Sequence, residues 1–179
     1  MSLRRRLLKA LRPTRQVTRG NQIDLLCSGA DYFPALLKAL EASTHSIRLE
    51  TYLYADDAIG DAVTQALCAA ARRGVDVRLV VDGFGARNIV AHHLPLLEAA
   101  GVHARIFRPE HHLWRHLLSG KRSRLRRMHR KIALCDGKTA FVGGINIIDD
   151  ATGNPAPSRP DFALQISGPL LQNIGRAMD

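Results

Sequence analysis

The stretch HRKIALCDGKTAFVGGIN spans residues 129–146 and predicts a β-hairpin. If residues 129–135 form a strand, alternate side chains share one face, so His129 and Lys131 would lie side by side. The pair Asp136-Gly137 is typical of a tight turn, and residues 139–142 would form the returning strand. The hairpin therefore presents a histidine and a lysine together at one strand end.

Two glycines and an asparagine follow the predicted hairpin. Without side chains, Gly143 and Gly144 would let the backbone come close to a ligand, and Asn146 adds an amide donor. A nucleophile or base, a fixed cation, a neutral donor and bare backbone suit a phosphate diester better than a carbonyl or a sugar. An ordinary hairpin with a charged edge is the alternative interpretation.

The spacing of these residues resembles the signature of the phospholipase D superfamily. All six specified positions of that signature are filled, by His129, Lys131, Asp136, Gly143, Gly144 and Asn146. The resemblance implies that His129 attacks phosphorus and forms a phosphohistidine, while Lys131 and Asn146 stabilise the non-bridging oxygens. It also implies that Asp161 orients the catalytic histidine. The scheme requires no metal and no other cofactor.

Five residues of the candidate site are assigned roles other than direct chemistry. Asp136 belongs to the catalytic signature, but its position beside Gly137 suits it better to holding the turn. Gly143 and Gly144 are candidates for contact with substrate. Arg127 and Arg130 flank His129 in the sequence and are candidates for binding an anionic substrate.

Composition restricts the class of protein. The chain has 179 residues, 46% of them hydrophobic, which suffices for one domain with a core. No run of 18 apolar residues occurs, so we expect no membrane-spanning helix. The net charge of +10 indicates an anionic partner, which could be a membrane surface, nucleic acid or a phosphorylated substrate. Cys27, Cys68 and Cys135 lack metal-ligand spacing and are expected to be buried free thiols in a reducing compartment.

Two basic segments are candidate contacts for an anionic surface. Residues 1–20 place four leucines among arginines and one lysine, which fits either an amphipathic membrane-binding helix or a flexible basic terminus. Residues 108–127 are the densest basic stretch, and they fit either an approach to lipid or nucleic acid or a solvated loop. We divide the chain into the basic segment 1–20 and a domain over residues 21–179.

Alternating strand and helix patterns predict an α/β layered sandwich with a mostly parallel, mixed sheet flanked by helices. The predicted strands are residues 22–27, 46–54, 75–81, 102–107, 129–135, 139–142 and 161–166, and the predicted helices are residues 31–42, 59–73 and 89–100, with a last helical segment after Gly168-Pro169.

The resemblance extends beyond the hairpin to bacterial cardiolipin synthases, over residues 21–176. The segments ETYLYADDAIGD and RRGVDVRLVVDGFG carry it. It implies a phosphatidyltransferase that acts on an anionic phospholipid such as phosphatidylglycerol, peripherally on the cytoplasmic side of the cell membrane. Members of this family usually carry two motifs in one chain, whereas this sequence contains one. It is therefore half of a split or truncated enzyme, a homodimer that pairs two motifs, or an inactive remnant.

Two alternatives remain open. Small single-motif endonucleases of the same superfamily act as homodimers, which keeps a phosphodiesterase or nuclease possible although nucleic acid is the less favoured partner. A non-catalytic module that binds lipid or nucleic acid would use the same basic surface.

Overall fold

The computed structural model describes residues 17–86, 89, 91–109, 127–149 and 160–179. Within these ranges the chain forms seven strands and four helices. In chain order they are β1 (Gln22–Cys27), α1 (Ser28–Ala42), β2 (Ser46–Thr51), α2 (Ala58–Arg72), β3 (Asp76–Asp82), α3 (His93–Ala99), β4 (His103–Phe107), β5 (Ile132–Cys135), β6 (Thr139–Gly143), β7 (Phe162–Ser167) and α4 (Leu171–Met178).

The strands form one mixed sheet in the order β1-β7-β6-β5-β2-β3-β4. The α/β class and the mixed sheet are confirmed. The expected predominance of parallel pairing is wrong, because only β2, β3 and β4 pair in parallel. Those three strands are connected through helices, whereas β5 and β6 form a hairpin, and β7 and β1 join its open side antiparallel.

Local signals in the sequence explain where the second helix begins and ends. The Asp57 side chain accepts a hydrogen bond from the Gly60 N–H at 2.8 Å and so caps the first turn of α2. After Arg73, Gly74 adopts a φ of +88°, a conformation that favours glycine and stops the helix. Between its cap at Asp57 and its end at Gly74, α2 packs its apolar side against the sheet.

The two faces of the sheet are covered unequally. One face packs with α1 and α2 into the main core, which includes Leu36, Leu67 and Phe141. The opposite face has a small core against α4 that contains Leu134, Ala140, Ile166 and Leu171. Alternation along the strands explains this division, since neighbouring side chains point to opposite faces.

Several predicted boundaries change in the structure. The strand expected to begin at His129 begins at Ile132, so His129 and Lys131 lie in the extended segment that enters β5. Cys68 and Cys135 are buried free thiols as expected, but Cys27 is exposed at the end of the edge strand β1. Across the described ranges, no helix combines the length and the hydrophobicity needed to cross a bilayer. The basic segment before residue 17 and most of residues 108–127 lie outside the described residues.

Candidate active site

Strand direction brings the ends of several elements to one edge of the sheet. The chain leaves β2 at Thr51 and β3 at Asp82, and it enters the antiparallel β5 at Ile132 on the same edge. The hairpin then returns there at the end of β6, and β7 begins beside it at Phe162. Residues 129–131, 143–146 and 161 therefore converge although they are far apart in sequence.

His129 and Lys131 are in direct contact at this edge. The Lys131 Nζ lies 3.3 Å from each ring nitrogen of His129 and 3.3 Å from the His129 carbonyl oxygen. The exposed imidazole packs against the Tyr52 ring at a tilt of 46°, with ring centroids 4.8 Å apart. The same Tyr52 ring lies 5.2 Å from the Lys131 ammonium, an attractive cation–π distance. Tyr52 thus supports both members of the pair.

Lys131 is an unusual lysine because its side chain is taken out of water. The residue is only 7% exposed. This burial lowers the pKa of Lys131 below its ordinary value, and the charge of Asp161 counteracts part of the lowering. An ammonium group held in such surroundings interacts strongly with any anion that enters the site.

Asp161 lies against Gly144, which directly follows β6. A Cβ on Gly144 would stand 2.0 Å from the Asp161 Oδ1, so only glycine leaves room for this carboxylate. Asp161 Oδ1 accepts a hydrogen bond from the Phe162 N–H at 2.9 Å. Between the described residues there is no hydrogen bond from His129 to Asp161, and the orienting role of Asp161 stays a prediction.

Gly143 is needed for strand packing. A Cβ at this position would lie 2.4 Å from the Phe162 carbonyl oxygen on β7. The Gly143 N–H donates to the Lys131 carbonyl at 3.2 Å, which ties the lysine to the end of β6. The space left by both glycines is therefore occupied by neighbouring protein atoms, and their contact with substrate stays a prediction.

Asn146 joins the motif to the loop that follows β2. Its Oδ1 accepts a hydrogen bond from the Leu53 N–H at 3.2 Å. Ile147 pairs with Tyr54 in a parallel bridge, and its carbonyl accepts from the Ala55 N–H at 2.9 Å. With the oxygen of the amide engaged, its two N–H bonds are the groups that Asn146 offers to a ligand.

Asp136 lies at the other end of β5, a strand length away from Lys131. Its two oxygens accept hydrogen bonds from the backbone N–H groups of Thr44, His45 and Ser46 at 2.8–3.0 Å. Burial alone would raise the pKa of Asp136, but these donors outweigh burial and hold it well below its ordinary value. Asp136 and Gly137 both have positive φ, as a type I′ turn requires. The structure does not bring Asp136 to His129.

The guanidinium groups of Arg127 and Arg130 contact different parts of the protein. The Arg127 guanidinium lies 3.7 Å from the buried Asp82 and over the ring of Phe84. Arg130 Nε lies 2.8 Å from Glu50 on β2, and a second guanidinium nitrogen donates to the Ala177 carbonyl in α4. Arg130 is therefore engaged with α4 and the sheet face beneath it, and substrate binding by either arginine stays a prediction.

Sequence reasoning missed two residues that position the histidine. Tyr52 packs against the imidazole, and Asp82 accepts hydrogen bonds from the N–H groups of Met128 and Phe84 at 2.9 and 3.0 Å. Asp82 is completely buried, so it fixes the segment that leads into His129. Both residues stand where a parallel strand ends, but that these ends meet the motif at one edge follows from the strand order and not from local sequence patterns.

The arrangement holds one set of groups suited to a phosphate diester. An imidazole is a group of the nucleophilic type, the buried Lys131 places a positive charge beside it, and the Asn146 amide is a neutral donor. Donors fixed in advance stabilise charge as it develops on the non-bridging oxygens of phosphorus.

Known proteins are similar to this chain in sequence. The family model described as "Cardiolipin synthase, PLD-like domain" matches residues 36–156. Cardiolipin synthase B from Escherichia coli (strain K12) is 36% identical over 157 residues, which is 87% of this chain and 37% of that protein. Cardiolipin synthase 1 from Bacillus cereus is 34% identical over 152 residues, or 84% of this chain and 29% of that protein. The chain thus spans well under half the length of these curated relatives.

Solved structures share the fold. Nuc from Salmonella typhimurium, a phospholipase D family member, matches with a TM-score of 0.63 and 19% identity, over 89% of this chain and 92% of that chain. NucT from Helicobacter pylori matches with a TM-score of 0.57 and 15% identity, over 88% and 91% of the two chains. At these identities the likeness concerns the fold alone.

Proposed function

We propose, from the premise that this chain belongs to the cardiolipin synthase PLD-like domain family, that it supplies one catalytic half of a phosphatidyltransferase. Its substrate class would be an anionic phospholipid such as phosphatidylglycerol. The observation that carries the proposal is the contact between the exposed imidazole of His129 and the buried ammonium of Lys131.

The proposed reaction has two steps at one phosphorus atom. A ring nitrogen of His129 attacks the phosphorus, the bond to the leaving glycerol oxygen breaks, and a phosphohistidine forms. The hydroxyl of an acceptor lipid then attacks the same phosphorus, the P–N bond breaks, and a new phosphodiester is released. Lys131 and Asn146 would hold the non-bridging oxygens through both steps.

Both steps also require proton transfer at the oxygen that leaves or attacks. A second histidine of the same kind would give a proton to the leaving alkoxide and take one from the acceptor hydroxyl. This chain contains one such motif, so we propose that the second comes from another copy of the chain or from a separate second half. Association with a partner is therefore part of the proposed function.

We further propose that the protein works peripherally at the cytoplasmic surface of the membrane. The net charge of +10 supports attraction to anionic headgroups, each cation near the surface contributing about 1 kcal/mol. The basic segments that would make this contact, residues 4–12 and 115–127, lie mainly outside the described residues.

The test is a transfer assay with vesicles that contain phosphatidylglycerol. We expect the wild type to form cardiolipin and release glycerol, with turnover that rises more steeply than protein concentration because two motifs must meet. Quenching in a neutral denaturant, which preserves the acid-labile P–N bond, followed by mass spectrometry should find a phosphatidyl group on His129. The change His129→Ala should abolish both signals, whereas His103→Ala, an exposed histidine on β4, should abolish neither.

Three results would count against this function. If a folded His129→Ala variant turned over as fast as the wild type, His129 could not be the residue that forms the phosphohistidine. Hydrolysis of DNA without any transfer to phosphatidylglycerol would favour the alternative, a phosphodiesterase or endonuclease that acts as a homodimer. A protein that binds anionic vesicles but turns over neither substrate at any concentration would be the inactive binding module.

A further inference from the structure

A second cluster of ionisable side chains lies outside the candidate active site. It consists of Asp56, in the loop after β2, Asp61, in the first turn of α2, and His93, the first residue of α3. One donor atom from each residue lies within 4.8 Å of the others. The proposed phosphoryl chemistry uses none of the three.

His93 has an orphaned nitrogen at the centre of this cluster. Its side chain is 2% exposed, and its Nε2 has no hydrogen-bond partner. The Asp56 Oδ1 lies 3.2 Å from that nitrogen, close enough for a hydrogen bond, but the geometry does not form one. A buried polar atom without a partner costs free energy, so its persistence requires a reason.

A chain of hydrogen bonds fixes which nitrogen of His93 carries the proton. The Tyr54 hydroxyl donates to the Gly60 carbonyl at 3.2 Å, so it must accept from the Thr64 hydroxyl at 2.7 Å. Thr64 has then used its proton and must accept from His93 Nδ1 at 3.1 Å. With Nδ1 protonated, a neutral His93 directs the bare lone pair of Nε2 toward Asp56 Oδ1.

The spacing of the donors fits a metal ion. Two ligands that bind one zinc ion at about 2.0–2.2 Å stand roughly 3.0–3.5 Å apart, which matches the 3.2 Å between Nε2 and Asp56 Oδ1. The second Asp56 oxygen contacts His92 Nδ1, which orients the carboxylate. Asp61 is more exposed, and its Oδ1 lies 3.9 Å from His93 Nδ1, so its side chain would have to rotate to reach an ion at Nε2. Asp57 differs, because both its oxygens already bind backbone N–H groups.

We infer that Asp56, Asp61 and His93 form a structural site for a divalent transition-metal ion of the zinc type. One imidazole with two carboxylates favours such an ion over Mg²⁺ or Ca²⁺, which prefer sets of oxygen ligands alone. The ion would join the start of α3 to the first turn of α2 and to the loop after β2. Three residues before Asp56 in that loop, the Leu53 N–H is held by Asn146, so the ion would also brace one wall of the active site.

The test uses the full chain, stripped with a chelator and carrying no histidine tag. We expect one equivalent of Zn²⁺ to bind by calorimetry and to raise the melting temperature by about 5–10 °C at a hundredfold excess over the dissociation constant. Mg²⁺ and Ca²⁺ should do neither. Co²⁺ should give a visible spectrum without thiolate charge transfer, which excludes binding at the three cysteines.

Variants separate this site from chance binding. His93→Asn and Asp56→Asn should weaken Zn²⁺ binding at least about tenfold. Thr64→Val should weaken it by about 10–100-fold, because without the Thr64 hydroxyl the proton of His93 is no longer held on Nδ1. Asp76→Asn, an exposed carboxylate on β3, should leave it unchanged. Because Asp56 lies near the surface, its variant keeps the test valid if His93→Asn fails to fold. Absence of Zn²⁺ binding, or equal binding by wild type and Asp56→Asn, would overturn the inference.

Discussion

At the scale of single residues, burial of the charge of Lys131 carries a free-energy cost. The ammonium is taken out of water, and this desolvation lowers the pKa of Lys131. We predict that Lys131→Met reduces turnover by about 10²–10³-fold, the loss typical of one transition-state donor, while the free energy of unfolding does not fall. Urea denaturation beside the transfer assay measures both quantities.

The pH dependence of this effect has a definite sign. Below the lowered pKa, folded wild type carries the desolvated charge, and above it the lysine is neutral in the fold. Any stability advantage of Lys131→Met should therefore shrink as pH rises through that pKa. Lys138→Met, at the exposed hairpin turn, should change neither turnover nor stability. A marked loss of stability in Lys131→Met would mean that attraction to Asp161 outweighs desolvation.

Residue spacing predicted part of the site and missed another part. The contact of His129 with Lys131 follows from two positions in one extended segment, and the role of Asp136 in the turn follows from its glycine neighbour. Tyr52 and Asp82 were missed because their contacts with residues 128–131 span long distances in sequence. Such contacts depend on strand order, which local patterns do not contain.

At the scale of elements, α4 is attached to the sheet by charged groups as well as by its small core. Arg130 contacts Glu50 on β2 and the Ala177 carbonyl at the end of α4, and Arg48 donates to the Gly175 carbonyl at 3.3 Å. Cations near the last carbonyls of a helix also complement its dipole. Arg130 therefore links the motif segment to the last helix.

We predict that Arg130→Met destabilises the fold by about 2 kcal/mol at neutral pH, because it leaves the buried carboxylate of Glu50 unpaired. Burial raises the pKa of Glu50 and Arg130 lowers it in part, so the variant raises it further. A group with a raised pKa in the fold contributes stability at low pH and loses it as pH rises through that pKa. The destabilisation should therefore be smaller near pH 5 than near pH 7.5.

Thermal unfolding of the wild type and of Arg130→Met at several pH values tests this prediction. The double variant Arg130→Met with Glu50→Gln should recover part of the lost stability, because it removes the unpaired charge. If Arg130→Met is as stable as wild type but loses affinity for anionic phospholipid, its predicted contact with substrate is favoured instead.

The order of elements was more predictable than their pairing. The β2-α2-β3 and β3-α3-β4 units follow from alternating patterns, since parallel strands need a crossover. The pairing of β1 with β7 was not predictable, because the partners Gln22 and Ser167 stand at opposite ends of the described chain. Because β1 pairs with β7 antiparallel, less of the sheet is parallel than the alternation of strands and helices predicts.

At the scale of the whole molecule, one region of the surface is unusually apolar. On the sheet face that α4 covers only in part, Ile23 and Leu25 of β1 stand opposite Ile166 and Leu164 of β7, and Ile23, Leu25 and Leu164 are exposed. Phe162, also exposed, continues this face to the edge where Asp161 and Gly144 lie. Contiguous exposed apolar residues commonly mark a surface that a partner covers.

The proposed function needs a second motif, so this apolar face is where we expect the partner to pack. We predict that Leu25→Glu lowers self-association and, with it, turnover at a fixed protein concentration, because the charge would be buried without a partner. Leu96→Glu on α3 is the matched control, since both leucines are 59% exposed in the fold. The molar mass from light scattering and the turnover in the transfer assay should both fall in Leu25→Glu, and neither should change in Leu96→Glu. Full turnover by a monomeric Leu25→Glu variant would show that one motif suffices.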